Sequence, residues 1–130
     1  GILMVDINCL KKVNDEYGHG MGDFVLKSLS YLLKTFMEEK GHVARWGGEE
    51  FILLLSHRDM KDAAEFAEGL RKAIEADVIN FEGTDIKITM SFGVSLIDPK
   101  LTTEENVEGV DAKLYYAKEH GRNRVICEIE

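Results

Sequence analysis

His42-Val43-Ala44-Arg45-Trp46-Gly47-Gly48-Glu49-Glu50-Phe51-Ile52-Leu53-Leu54-Leu55 reads as two short strands separated by Gly47-Gly48-Glu49-Glu50. The length and glycine content of the break are those of a tight hairpin. Gly47 and Gly48 leave the backbone bare, while Glu49 and Glu50 set two carboxylates beside apolar strands. Bare backbone next to carboxylates suits a metal-bound phosphate, and an ordinary hairpin with solvated glutamates carries the same letters. The rest of the chain has to decide between them.

Upstream of the hairpin, residues 2–7 are an apolar strand ending in Asp6-Ile7. Gly18, Gly20 and Gly22 punctuate the chain before a helical pattern through Phe24, Val25, Leu29, Leu32, Leu33 and Phe36, which Gly41 is expected to close. Downstream, Asp59 or a neighbour opens a second helix in which Ala63, Phe66, Ala67, Leu70, Ala73 and Ile74 recur at helical spacing. Val78 to Phe81 and Ile86 to Ile97 read as strands around Gly83-Thr84. A third helix spans about Glu104 to His120 and closes at Gly121, and Val125 to Ile129 supplies a last strand. This order predicts an α+β, ferredoxin-like palm-type fold: a central, mostly antiparallel sheet flanked by helices, which are expected on one face.

With 130 residues and 45% apolar content, the chain is expected to form one domain over 1–130. Its formal charge of -8, from 24 acidic and 16 basic residues, excludes a broad basic surface for nucleic acid. Exposed aromatics on a basic sheet, as a nucleic-acid-binding domain of this fold would need, are not evident either. The apolar runs are shorter than the roughly 18 residues of a membrane span, so no membrane segment and a cytoplasmic location are expected. Cys9 and Cys127 form no close-spaced pair, which argues for reduced thiols over zinc or a disulfide framework.

Asp6, at a strand end, is costly to bury unless it meets a cation or several donors. A magnesium ion would satisfy it with one hairpin glutamate, and loop amides would satisfy it equally. Specificity comes from combination. Arg45-Trp46-Gly47-Gly48-Glu49-Glu50-Phe51 resembles the signature of the diguanylate cyclase, or GGDEF, family. Asp6-Ile7-Asn8 through Lys11, then Asn14-Asp15, Gly18-His19 and Gly22-Asp23, is similar to that family's segment after its first strand. Tyr115, Ala117-Lys118 and Gly121-Arg122-Asn123-Arg124 resemble its closing helix and turn, so the likeness covers nearly all 130 residues.

The resemblance implies a nucleotidyltransferase that condenses two GTP into cyclic di-GMP and pyrophosphate, using magnesium or manganese. Two domains would face each other as a homodimer, with an upstream sensory or dimerisation region. By the same resemblance, Asp6 and Glu49 bind the metal through carboxylates and Ile7 through its main-chain oxygen. Glu49 is the candidate base, Glu50 a second acidic group, and Lys11 approaches the phosphates. Lys118 and Arg122, four apart across a helix end, also take phosphate, though cations at a helix C-terminus are favoured by the dipole in any case. Gly47 and Gly48 let the substrate approach. Asn14 and Asp23 resemble the guanine-reading pair, with His19 as support. Aspartate accepts from N1–H and the exocyclic amine, an edge that adenine lacks. The plainer readings are a turn asparagine at 14, a helix-capping aspartate at 23 and a solvated lysine at 11.

Three departures from the family pattern stand out. Asn8 replaces a second aspartate and removes a negative charge beside the metal. The window of the family's product-inhibition motif, Arg-x-x-Asp, reads Glu38-Glu39-Lys40-Gly41, so inhibition through that site is expected to be absent. The family's usual N-terminal helix, with the segment that follows it, does not precede the first strand, so the sequence reads as a fragment. Asn8 and that segment favour a competing reading, a non-catalytic GTP-binding module that regulates a partner domain. Intact Lys11, Asp23, Glu49 and Glu50 favour the enzyme.

Overall fold

The computed structural model describes residues 2–8, 18–45, 50–56 and 59–128, with 2–8, His19 and Phe81 described through their backbone. The elements run β1 (Ile2–Asn8), α1 (His19–Met37), β2 (Gly41–Arg45), β3 (Glu50–Leu55), α2 (Met60–Ala76), β4 (Ile79–Phe81), β5 (Thr84–Ile86), β6 (Thr89–Ser95), α3 (Thr103–Glu119) and β7 (Val125–Ile126).

Helix α1 forms because Met21, Val25, Leu29, Leu33 and Met37 recur every fourth residue, and all of them are buried. Each contributes about 1.5–3 kcal/mol by leaving water. The helix ends at Met37, four residues before Gly41, and the chain turns through Glu39 at φ 66°. Gly41 instead opens β2. A Cβ there would stand 1.7 Å from the Leu54 carbonyl oxygen, so this glycine serves close strand approach and not helix closure. Helix α2 begins as its sequence predicts, with the Asp59 side chain accepting from the Asp62 amide at 2.8 Å.

The main sheet has the order β2-β3-β1-β6-β7. Its first four strands are antiparallel neighbours, and β7 joins parallel to β6. The succession β1-α1-β2-β3-α2-β6 in this order is the ferredoxin-like plan expected from sequence, extended by α3 and β7. The run Ile86–Ile97 is not one strand. Ile86 ends β5, which pairs with β4 in a separate hairpin, and β6 begins only at Thr89. Leu96 and Ile97 lie beyond it, about half exposed at 48% and 50%. The last strand stops at Ile126, and Ile129 falls outside the described residues.

The helices occupy both faces, which corrects the one-face expectation. Phe51, Leu53 and Leu55 of β3 join Met90, Phe92 and Val94 of β6 in the cluster under α1 and α2. The alternate residue Ile52 packs instead with Val110 and Leu114 of α3. A strand apolar at successive positions is the pattern of a sheet covered on both sides. Helix α3 is fixed by a capping box, in which Thr102 accepts from the Glu105 amide and the Glu105 carboxylate accepts from the Thr102 amide.

Candidate functional site

The register of the central strands brings the candidate residues to one end of the sheet. Asp6 on β1 stands opposite Glu50 on β3 and opposite Ser91 on β6. Glu50 is the first residue of β3, immediately after the glycine-containing segment. Its Oε1 lies 3.9 Å from Lys118 Nζ, with both side chains partly buried. Lys118 projects from the last turn of α3, where the unpaired carbonyl ends favour a cation. The opposed ends of β1 and β3 and the C-terminus of α3 therefore meet at one place, and the strand order puts them there.

Beyond α3 the chain passes through His120 and Gly121, whose φ is 110°, into Arg122. The Arg122 amide donates to the Ala117 carbonyl at 2.8 Å, closing the helix as Gly121 predicts. Arg122 itself is exposed. His19 is the first residue of α1, and Asp23 follows one turn later with its side chain exposed. The N-cap is Gly18, so Asp23 is not a helix cap and that plainer reading is set aside. An exposed carboxylate one turn into a helix is free to meet a ligand.

Lys11, Asn14, Gly47, Gly48 and Glu49 lie outside the described residues. Asp6 and Ile7 are placed by backbone and register alone. Among the described residues, no group of three or more His, Cys, Asp or Glu side chains is arranged to hold a metal ion. The donor chemistry still fits a hard divalent cation, because a carboxylate-bearing strand end is held against the residue that follows Glu49. Beside this end, Ser30, Lys34, Val43, Ala44, Arg45 and Phe51 line a groove of about 240 Å³ between α1 and β2, and two of them are cations.

In the turn after α1, Glu38 and Glu39 are exposed. The Lys40 ammonium donates to the Phe36 carbonyl at 3.3 Å and stands 5.4 Å from the centre of the Phe66 ring. The only cation of that window is thus engaged within the fold.

Sequence reasoning missed a polar cluster between α2 and the turn that follows α3. Arg71 on α2 bonds Glu68, Glu75 and Asn123, which lies 52 positions further on. The hydrogen bond from Arg71 holds the Glu68 carboxyl below its ordinary value, and Glu68 in return raises Arg71. Of these residues the sequence motifs mark only Asn123, as part of the turn after α3. On α3, burial lowers the Lys113 ammonium, which donates to the Val94 carbonyl at 2.9 Å.

No helix among the described residues is long and apolar enough to cross a membrane. Comparison with known proteins matches residues 1–124 to the family described as "Diguanylate cyclase, GGDEF domain". Diguanylate cyclase A of Treponema denticola is 41% identical over 125 residues, which is 95% of this chain and 34% of that protein. Diguanylate cyclase DgcP of Pseudomonas aeruginosa is 36% identical over 124 residues, 95% of this chain and 18% of that protein. The chain therefore spans about a third or less of these relatives. Among solved structures, the GGDEF domain of DgcB from Caulobacter crescentus in complex with c-di-GMP superposes with a TM-score of 0.90 at 29% identity. That match covers 96% of this chain and 75% of the other. The active GGEEF domain of a diguanylate cyclase from Vibrio cholerae gives a TM-score of 0.86 at 30% identity, covering 99% of this chain and 82% of that one.

Proposed function

Because this chain belongs to the GGDEF domain family, we propose that it is the catalytic domain of a diguanylate cyclase, joining two GTP into cyclic di-GMP with release of two pyrophosphates. The observation that carries the reading is the register that sets Asp6 opposite Glu50 at the sheet end, Glu50 being next in sequence after Gly47-Gly48-Glu49, with Lys118 Nζ 3.9 Å from Glu50. The Vibrio cholerae domain, named for its active GGEEF signature, has the same letters as Gly47 to Phe51.

In each half-reaction the 3'-hydroxyl of one GTP attacks the α-phosphate of the other, and pyrophosphate leaves. Asp6, the Ile7 main-chain oxygen and Glu49 would hold a divalent cation, magnesium or manganese. Bound there, that ion would neutralise charge on the phosphates and acidify the hydroxyl. Glu49 accepts the hydroxyl proton. Lys118 holds Glu50 in place and, with Lys11 and Arg122, offers cations to the phosphates, where charge builds in the transition state. Gly47 and Gly48 let the backbone come close to the substrate. Asp23, exposed on α1, and Asn14 read the guanine edge, with His19 as support. Each domain holds one GTP, so two copies must face each other, and a region elsewhere in the full protein would arrange them. The surroundings of such a reaction are cytoplasmic.

Asn8, the last residue of β1, favours a second reading, a GTP-binding module that regulates a partner. The test is conversion of GTP with magnesium by a forcibly dimerised protein, with cyclic di-GMP and pyrophosphate resolved by chromatography. Product from the parent, reduced about 100-fold or more in Glu49→Gln, is expected. GTP binding without any product from the dimer would establish the regulatory reading instead.

A further inference from the structure

The turn that carries Arg122 is held in an unusual backbone conformation. Gly121, Arg122 and Asn123 have φ of 110°, 59° and 44° in succession. Two of the three are not glycine. Side chains at left-handed φ persist only where their surroundings hold them, and asparagine tolerates the region better than arginine.

The restraints come from three elements. From within α3, the Ala117 carbonyl accepts the Arg122 amide at 2.8 Å. From β6, the buried Ser91 hydroxyl accepts the Asn123 amide at 3.1 Å. From α2, on the opposite face of the sheet, Arg71 Nη1 donates to Asn123 Oδ1 at 3.0 Å, and Asn123 Nδ2 donates to Glu75. Arg71 is itself held by a bond from Nε to Glu68 Oε1 at 3.0 Å. Ser91 is also the strand partner of Asp6. One connected set of bonds thus ties the turn to the strand residue that faces the candidate metal ligand.

A clasp built only to fasten α2 against the sheet would have no need of two consecutive left-handed residues. We infer that Arg71 and Asn123 are positioning residues for Arg122, fixing the left-handed turn so that Arg122 and Lys118 meet the phosphates of a nucleoside triphosphate together. The inference rests on the nucleotide-site reading above. It adds residues that touch no substrate and act by pre-organising one that does.

The test is a double-mutant cycle on GTP affinity, read by equilibrium binding without turnover, with thermal midpoints recorded in parallel. Asn123→Gly keeps the backbone conformation available and the amide bond to Ser91, but removes the contacts to Arg71 and Glu75. It is expected to weaken GTP binding about tenfold in the parent, the scale of losing hydrogen bonds to charged groups. In an Arg122→Ala background it should weaken binding no further. Arg71→Gln should behave alike, and if it fails to fold, Asn123→Gly carries the test alone. Unchanged affinity in Asn123→Gly, or losses that add to that of Arg122→Ala, would overturn the positioning role while leaving the nucleotide site intact. A parent that binds no GTP would overturn both.

Discussion

Phe92 and Gly93 are neighbours on β6 and belong to different worlds. Phe92 points into the layer under α1 and α2, where eighteen described residues form one buried cluster. Gly93 faces α3, where the cluster is Ile52, Val110 and Leu114. The first face supplies stability and carries none of the candidate site side chains among the described strand residues. The second has a smaller buried cluster and holds Glu50 against Lys118. The difference teaches that, among the strand residues, parity separates the large buried cluster from Glu50: odd and even positions of one strand serve different neighbours.

The comparison breaks most visibly at Phe92. Phe92→Ala is expected to cost about 3–5 kcal/mol in denaturant unfolding. Assayed well below its melting temperature, it should keep its affinity for GTP; a large loss of affinity with little loss of stability would invert the assignment of the faces. At Gly93 an added Cβ would stand 2.5 Å from the Val110 carbonyl oxygen and 2.7 Å from the Leu114 amide nitrogen, so α3 must shift. Gly93→Ala should therefore cost less stability, about 1–3 kcal/mol, and yet weaken GTP binding more than Phe92→Ala does, because Lys118 and Arg122 travel with α3. The smallest effect concerns the rim of α2. Glu68 has a folded-state value below its ordinary one, so its contribution is present above the ordinary carboxylate range and is lost as pH falls through the folded value. The pair is exposed enough that this is worth less than about 1 kcal/mol, and Glu68→Gln should flatten the acid limb of a pH-stability curve by that amount.

Much of the first face was legible in the sequence. Four-residue recurrence in α1 and α2 and apolar runs in β3 and β6 report burial directly, since solvent exclusion is written into residue type. The second face was not. Val107, Val110 and Leu114 are too few to announce which side of the sheet they cover, and Gly93 shows its purpose only when α3 lies across it. Gly41 has the letter of a helix terminator and the task of a strand contact. The candidate site residues were named by resemblance, but the pairing of Asp6 with Glu50 depends on sheet register, and the clasp from Arg71 to Asn123 joins distant parts of the chain. Long-range geometry of this kind leaves no local periodicity to read.

The position of β1 has a consequence for how the molecule comes into being. The strand that opens this sequence ends up in the middle of the sheet, between β3 and β6. During synthesis it must wait for residues 50–54 on one side and 89–95 on the other before both of its edges are satisfied. Contacts of such wide separation slow folding, because distant chain must be gathered before any pairing rewards it. Emerging from a ribosome, the domain can complete its central strand only after most of its length has been made, and until then β1 has at least one unpaired edge.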